Sequence, residues 1–284
     1  MRQKSISELF ETEKCVNICA PMVRYSKLPF RLLVRQYGCH VACTPMIVAD
    51  AFTQSERARH IEFTTNKGKM GIDFYDRPLV VQFAANNAED FAAATELVYN
   101  HSDGVNLNCG CPQQWAMSKN LGAFLLTNPQ LVSDMIRQTR NRIPSTSDNF
   151  SISAKIRIDS NIGKSVDFCR QIQNAGVDWI AIHSRTVKQR CEPINIDSLR
   201  IIRESLDIPV VANGDIWTQE DARVIQKETG VSGVMCARGL LQNPEMFSQT
   251  DQGTTSIECI KKWLDIATET GICLNLMQHH LLYM

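Results

Sequence analysis

Gly104-Val105-Asn106-Leu107-Asn108-Cys109-Gly110-Cys111-Pro112, GVNLNCGCP, starts as an apolar strand and stops in two asparagines, two thiols, a glycine and a proline. Zinc, a disulfide, a tight turn or an acid waiting for a substrate each accounts for such an ending. The neighbouring sequence decides which kind of sheet the strand belongs to.

Seven further apolar, β-rich runs resemble it: 16–22 VNICAPM, 40–47 HVACTPMI, 78–85 PLVVQFAA, 150–158 FSISAKIRI, 179–184 WIAIHS, 209–214 PVVANG and 233–237 GVMCA. Helical patterns with their own start signals separate them. Asn87 with Asp90 opens a helix to about Asn100, Asn128-Pro129 places proline in a first turn, and Thr218 with Asp221 reads as a capping box. Strand and helix alternate as in βα units on a parallel sheet. Eight such units in about 250 residues indicate an α/β protein with a closed (β/α)8 TIM barrel rather than an open sheet. The barrel is expected over 1–249. After a linker at 250–255, Ile257, Ile260, Trp263, Leu264 and Ile266 recur at helical spacing, so 256–284 reads as a short C-terminal helical segment.

Hydrophobic residues make up 44% of the 284-residue chain, ordinary for a globular enzyme with a full core. Thirty basic and thirty acidic residues cancel, so a polyanionic partner must be met by a local patch rather than a global field. The first twenty residues hold three glutamates and no long apolar core, and no run approaches the ~20 residues of a membrane span. Eleven scattered cysteines then indicate reduced thiols in an intracellular, cytoplasmic compartment. A monomer that contacts no membrane is expected.

Barrel sites lie at the C-terminal ends of the strands. The first strand ends in Ala20-Pro21-Met22, the third carries Gln82, and the fourth ends in Asn106, Asn108 and Cys111. The fifth holds Lys155 and Arg157, and the sixth ends in His183 and Arg185. The seventh ends in Asn213-Gly214-Asp215 and the eighth in Ala237-Arg238-Gly239. A buried ammonium such as Lys155 needs a partner. Asn213-Gly214-Asp215 reads equally as a strand-to-helix turn, with glycine for a positive φ and aspartate as a cap. The loops after the seventh and eighth strands form the usual barrel phosphate site, to which Arg238 adds fixed charge.

The Cys109-x-Cys111 pair has no matching second pair of the kind zinc needs, so no metal is expected. A disulfide across one residue is strained. An ordinary thiol is mostly protonated at neutral pH and serves as a general acid.

The ordered stretches APMVRYSKLPFR (20–31), PLVVQFAAN (78–86), DGVNLNCGCP (103–112), AKIRI (154–158), HSRT (183–186), VVANGDI (210–216) and CARGLLQNP (236–244) resemble those of the tRNA-dihydrouridine synthases, especially the eukaryotic branch acting at D-loop positions 20a and 20b. The resemblance implies reduction of uridine in tRNA by FMN, with NADPH or NADH as reductant. It implies that Pro21 and Met22 pack at the flavin ring and that Gln82 and Lys155 bond its polar edge. His183, Asn213, Gly214, Asp215, Ala237, Arg238 and Gly239 hold the ribityl and phosphate. Asn108, Arg157 and Arg185 serve the substrate, hydride goes to C6, and Cys111 protonates C5 of a uridine flipped into the barrel.

Ser184 departs from the family's HGRT wording. Residues 256–284 are shorter than the family's tRNA-docking helical domain, which suggests a truncated form. Docking is then expected on Arg24, Lys27, Arg157, Arg185, Lys188 and Arg190. Two alternatives stay open: a flavin dehydrogenase of free pyrimidines, and an RNA-binding form without turnover.

Overall fold

The computed structural model of the protein describes residues 4–65, 76–144, 149–250 and 253–284. Its strands are β1 (Val16–Cys19), β2 (Val41–Cys43), β3 (Ile47–Val48), β4 (Leu79–Ala84), β5 (Gly104–Cys109), β6 (Ser151–Ile158), β7 (Trp179–Thr186), β8 (Val210–Asn213) and β9 (Gly233–Cys236). All pairings are parallel. They run β1 to β2, β4, β5, β6, β7, β8 and β9, and β9 returns to β1 through Val16↔Gly233 and Cys19↔Cys236. Eight strands therefore close the barrel, as the alternating pattern implies. The run at 40–47 is not one strand. It divides at Thr44-Pro45-Met46, since proline has no N–H for the ladder, and the short β3 pairs with the upper end of β4.

The helix signals sit where the sequence puts them. Asn87 caps Ala88–Val98 by accepting from Asp90 N at 2.8 Å, and Asn128 caps Pro129–Arg142. Thr218 and Asp221 form a reciprocal capping box on Gln219–Thr229. A helix the sequence reading did not include, Ile6–Thr12, starts at another capping box, Ser5 with Glu8.

Side chains alternate across each strand, and this alternation builds two layers. Val105, Leu107 and Cys109 of β5 point outward into the main core beneath the helices, as do Ile152, Ala154 and Ile156 of β6. The lower barrel interior is packed by Val16, Ile18, Val41, Val80, Trp179, Ala181, Val211 and Met235, closed from below by Ile6 and Leu9 of the first helix. Higher up the interior turns polar. Gln82, Asn106, Ser153, Asn108, Lys155, His183 and Asn213 follow on the inward-facing positions.

Beside the barrel, helix Leu28–Arg35 is anchored by a buried ion cluster. Arg31 Nη2 lies 2.7 Å from Asp76 Oδ2, and Arg35 joins the other carboxylate oxygen at 3.2 Å. Burial raises the Asp76 pKa, but the two guanidinium groups outweigh it and hold the carboxyl below its usual value. Arg31, which the sequence shows only as the end of a motif, is thus an anchor that also binds the backbone carbonyls of Ser26 and Thr64.

The C-terminal helices Ile257–Glu269 and Leu274–Leu281 cover that same helix. Cys259, Trp263, Ile266 and Ala267 continue the main core. Trp263, Phe30 and His280 form a three-ring cluster, with the first two centroids 4.4 and 4.8 Å from the histidine ring and 6.5 Å from each other. Among the described residues no helix is long and apolar enough to cross a membrane.

Candidate functional site

Two cavities open at the C-terminal end of the barrel. The smaller, about 200 Å³, is lined by Pro21, Gln82, Asn108, Cys111, Lys155 and their neighbours. The larger, about 290 Å³, is lined by Asn213, Gly214, Asp215, Ala237, Arg238 and Gly239 with flanking residues. Arg157 and His183 belong to both walls, so the two form one trough.

The polar floor of the first cavity is an amide chain. Gln82 Nε2 donates to Asn106 Oδ1 at 2.8 Å, Asn106 Nδ2 to Ser153 Oγ at 2.9 Å, and Asn108 Nδ2 to Gln82 Oε1 at 2.9 Å. Every amide orientation is set by its neighbour, which suits a buried polar group. Asn108 also accepts from Gly110 N at 3.1 Å and Cys111 N at 2.9 Å. Its carbonyl oxygen therefore folds the turn that carries the thiol.

Cys109 and Cys111 do different things. Cys109 is fully buried outside the barrel near Cys169, and burial pushes its thiol up. Cys111 is half-buried and faces the trough. Gly122, at φ +66°, packs so tightly on Cys111 that a Cβ there would sit 2.6 Å from its carbonyl oxygen. Among the described residues no cluster of three metal-ligating side chains occurs.

Lys155 lies opposite Asn108 in register, half-buried between β5 and β7. Burial first, and then repulsion by Arg157, lower its pKa to about 8. Burial and four nearby cations, Lys155, Arg157, Arg185 and Arg238, lower that of His183 to about 2, so the ring is neutral.

At the far end, Asp215 stands in the left-handed region at φ 50°, after Gly214 at φ 114°. One carboxylate oxygen meets Arg185 Nη2 at 2.5 Å and the other accepts from Ile194 N at 3.0 Å. Glycine is needed at 214 because a Cβ would lie 2.6 Å from Ile194 and 3.0 Å from the His183 ring. It is needed at 239 because a Cβ would lie 2.4 Å from Ile216 O. Both leave bare backbone beside the trough, as an anion cradle requires. Asn213 donates to Met235 O at 2.7 Å, and the Arg238 guanidinium stacks on Trp217 at 4.8 Å.

Nearly all residues singled out from the sequence thus line one trough. Of the residues expected to hold the cofactor, Met22 lines neither cavity, packing on the main core while its N–H donates to Ser26 Oγ at 2.9 Å, and Arg24, Lys27 and Lys188, expected for docking, also lie outside both linings. Arg157 lines both cavities, yet its guanidinium also donates to the carbonyls of Thr186 and Gln189, holding the loop after β7. Val23, Met46, Gln113 and Trp217 also line the walls and were not expected. They lie on loops with no periodic signal to mark them.

The closed barrel with a thiol and a cationic trough at its strand ends defines a (β/α)8-barrel enzyme. The dihydrouridine synthase family model matches residues 18–284, and the chain belongs to that family. A mouse relative named as a tRNA-dihydrouridine(20a/20b) synthase-like protein is 47% identical over 100% of this chain and 84% of its own length. The Saccharomyces cerevisiae tRNA-dihydrouridine(20a/20b) synthase is 39% identical over 94% of this chain and 71% of its own. Among solved structures, the old yellow enzyme from Trypanosoma cruzi has a TM-score of 0.54 at 11% identity, covering 81% of this chain and 86% of that one. That likeness concerns the fold.

Proposed function

We propose that this chain reduces uridine to 5,6-dihydrouridine in tRNA, at D-loop positions 20a and 20b, using FMN and NADPH. One observation carries the reading: the Cys111 thiol stands on the wall of the same cavity as Lys155 and Gln82, and that cavity runs directly into a four-cation anion cradle. The residues fit a phosphorylated flavin. Lys155 and Gln82 suit the polar edge of its ring, while Arg238 and the open backbone at Gly214 and Gly239 suit its phosphate. The flavin, when bound, supplies hydride transfer between the nicotinamide and C6 of the base.

The remaining chemistry falls to the chain. Lys155 opposes negative charge gathered at the ring edge, and neutral His183 adds a hydrogen bond without adding another cation. Asn108 aims the turn, and Cys111 gives its proton to C5. The barrel's amide floor holds its groups fixed, so none must reorganise during proton transfer. Arg24, Lys27, Lys188 and Arg190, with helices 256–284, form the docking surface for the tRNA backbone, whereas Arg157 and Arg185, expected there from the sequence, are buried and hold the loop after β7.

Purified protein loaded with FMN and given NADPH and unmodified tRNA should form dihydrouridine. Cys111→Ala should keep the flavin absorbance and lose at least about 100-fold in rate. Wild-type rates in that variant would remove Cys111 as the acid. Turnover of free uracil but not tRNA would move the reading to a pyrimidine dehydrogenase.

A further inference from the structure

We infer that Trp115 is a stacking platform for a nucleobase next to the target uridine, an inference that rests on the tRNA reading above. Trp115 is 43% exposed, and it lies four residues beyond Cys111. Its indole N–H donates to Oε1 of Gln113, and Gln113 is part of the cavity wall beside Cys111 and Pro112. The indole edge is therefore tied to the lip of the trough, leaving surface exposed at its mouth.

The support beneath it is rigid. Leu121 N donates to Ala116 O at 2.9 Å, and Ala123 N donates to Cys111 O at 3.0 Å. Gly122 packs against Cys111 and Ala116 is fully buried. One folded unit, residues 111–123, thus fixes the indole relative to the thiol. A base resting on Trp115 would hold its neighbour in register with the proton donor.

Charge selects the occupant. The described residues lining the cavity include Lys155, Arg157 and His183 and no carboxylate. Arg24 and Lys119 are exposed on the flanking segments. An aromatic plane beside an acid-free basic mouth suits a polyanion with flat bases, and single-stranded RNA loops are held by stacking on aromatic rings. The exposed Val23, on the opposite lip, supplies an apolar edge to the same opening.

The test compares the flavin-loaded wild type with Trp115→Ala, Trp115→Phe and Trp115→Leu on unmodified tRNA. Trp115→Ala should raise KM for tRNA about tenfold, the loss of one stacked base, with kcat at saturating tRNA within about threefold. Trp115→Phe should restore most of that KM and Trp115→Leu should not. A Trp115→Ala KM within twofold of wild type overturns the inference, and so does rescue by leucine, which would leave only apolar packing. If the wild type forms no dihydrouridine the tRNA reading itself fails. Equilibrium tRNA binding of the same variants then decides the platform, with equal affinities for wild type and Trp115→Ala overturning it.

Discussion

Arg185 and Asp215 meet at 2.5 Å across the gap between β7 and the turn after β8, with the guanidinium almost wholly buried and the carboxylate half-buried. The pair joins two loops that line the trough, because Asp215 also accepts from Ile194 N. In the sequence, Asp215 reads as a turn cap or a cofactor ligand. The structure gives its carboxylate another task, holding Arg185 beside His183, whose Nε2 is 3.2 Å from Nη1.

Asp215→Ala leaves Arg185 buried without its carboxylate. Breaking a buried pair costs about 3–5 kcal/mol, and the partial exposure of Asp215 reduces this to roughly 2. Urea denaturation should show that loss, and the FMN dissociation constant should rise. Unchanged stability and flavin affinity would mean the pair is incidental.

Gly122→Ala should act on Cys111 without touching the trough. The new Cβ would lie 2.6 Å from the Cys111 carbonyl oxygen and 2.9 Å from its Cβ, so the thiol-bearing turn must move. Displacing a reacting group by about 1 Å costs on the order of 100-fold in rate. Dihydrouridine formation should fall by roughly that factor while flavin absorbance persists.

Lys155 loses its charge as pH rises through about 8. If the ammonium meets a negative ring edge, flavin affinity is full below that pH and weakens above it, by up to about tenfold per unit. Titrating the FMN dissociation constant from pH 7 to 9.5 checks this. Lys155→Arg, which stays charged, should shift the inflection out of range.

His280 makes the fold acid-sensitive. It is fully buried, its ring nitrogens have no hydrogen-bond partner, and burial pushes its pKa down to about 4; the Tyr25 backbone favours the charged ring slightly from outside hydrogen-bond geometry. The unfolded histidine keeps its ordinary value near 6.5, so between those values the unfolded chain binds the extra proton. This contribution to stability is full above about pH 6.5 and is lost as pH falls toward 4, amounting to about 2 kcal/mol at pH 5. His280→Phe, which keeps a ring packed on Phe30 and Trp263, should remove that loss. Denaturation midpoints of the two proteins at pH 7.5 and pH 5 measure it.

The barrel was legible because its strands combine a strong apolar signal with sharp ends. Each polar residue that interrupts a run, Gln82, Lys155, His183 or Asn213, falls on the inward face at the height where the interior turns polar. What the sequence did not show depends on contacts between distant segments. Arg31 with Asp76 spans 45 positions and Asp215 with Arg185 spans 30, and no local period encodes either. Met22 looked equivalent to Pro21, but a turn bonded to Ser26 carries it away from the cavity. The first helix lay in a stretch read only for targeting signals, although Ser5 and Glu8 have the spacing of a capping box.

That helix also forms the base on which the polar floor of the trough rests. Ile6 and Leu9 close the barrel floor beneath Trp179 and Met235, and from Ser151, bonded to the Trp179 indole, the polar positions Ser153, Asn106, Gln82 and Asn108 lead up to the turn of Cys111. The first helix and the thiol-bearing turn are thereby the two ends of one packed column, though about a hundred residues separate them in the sequence.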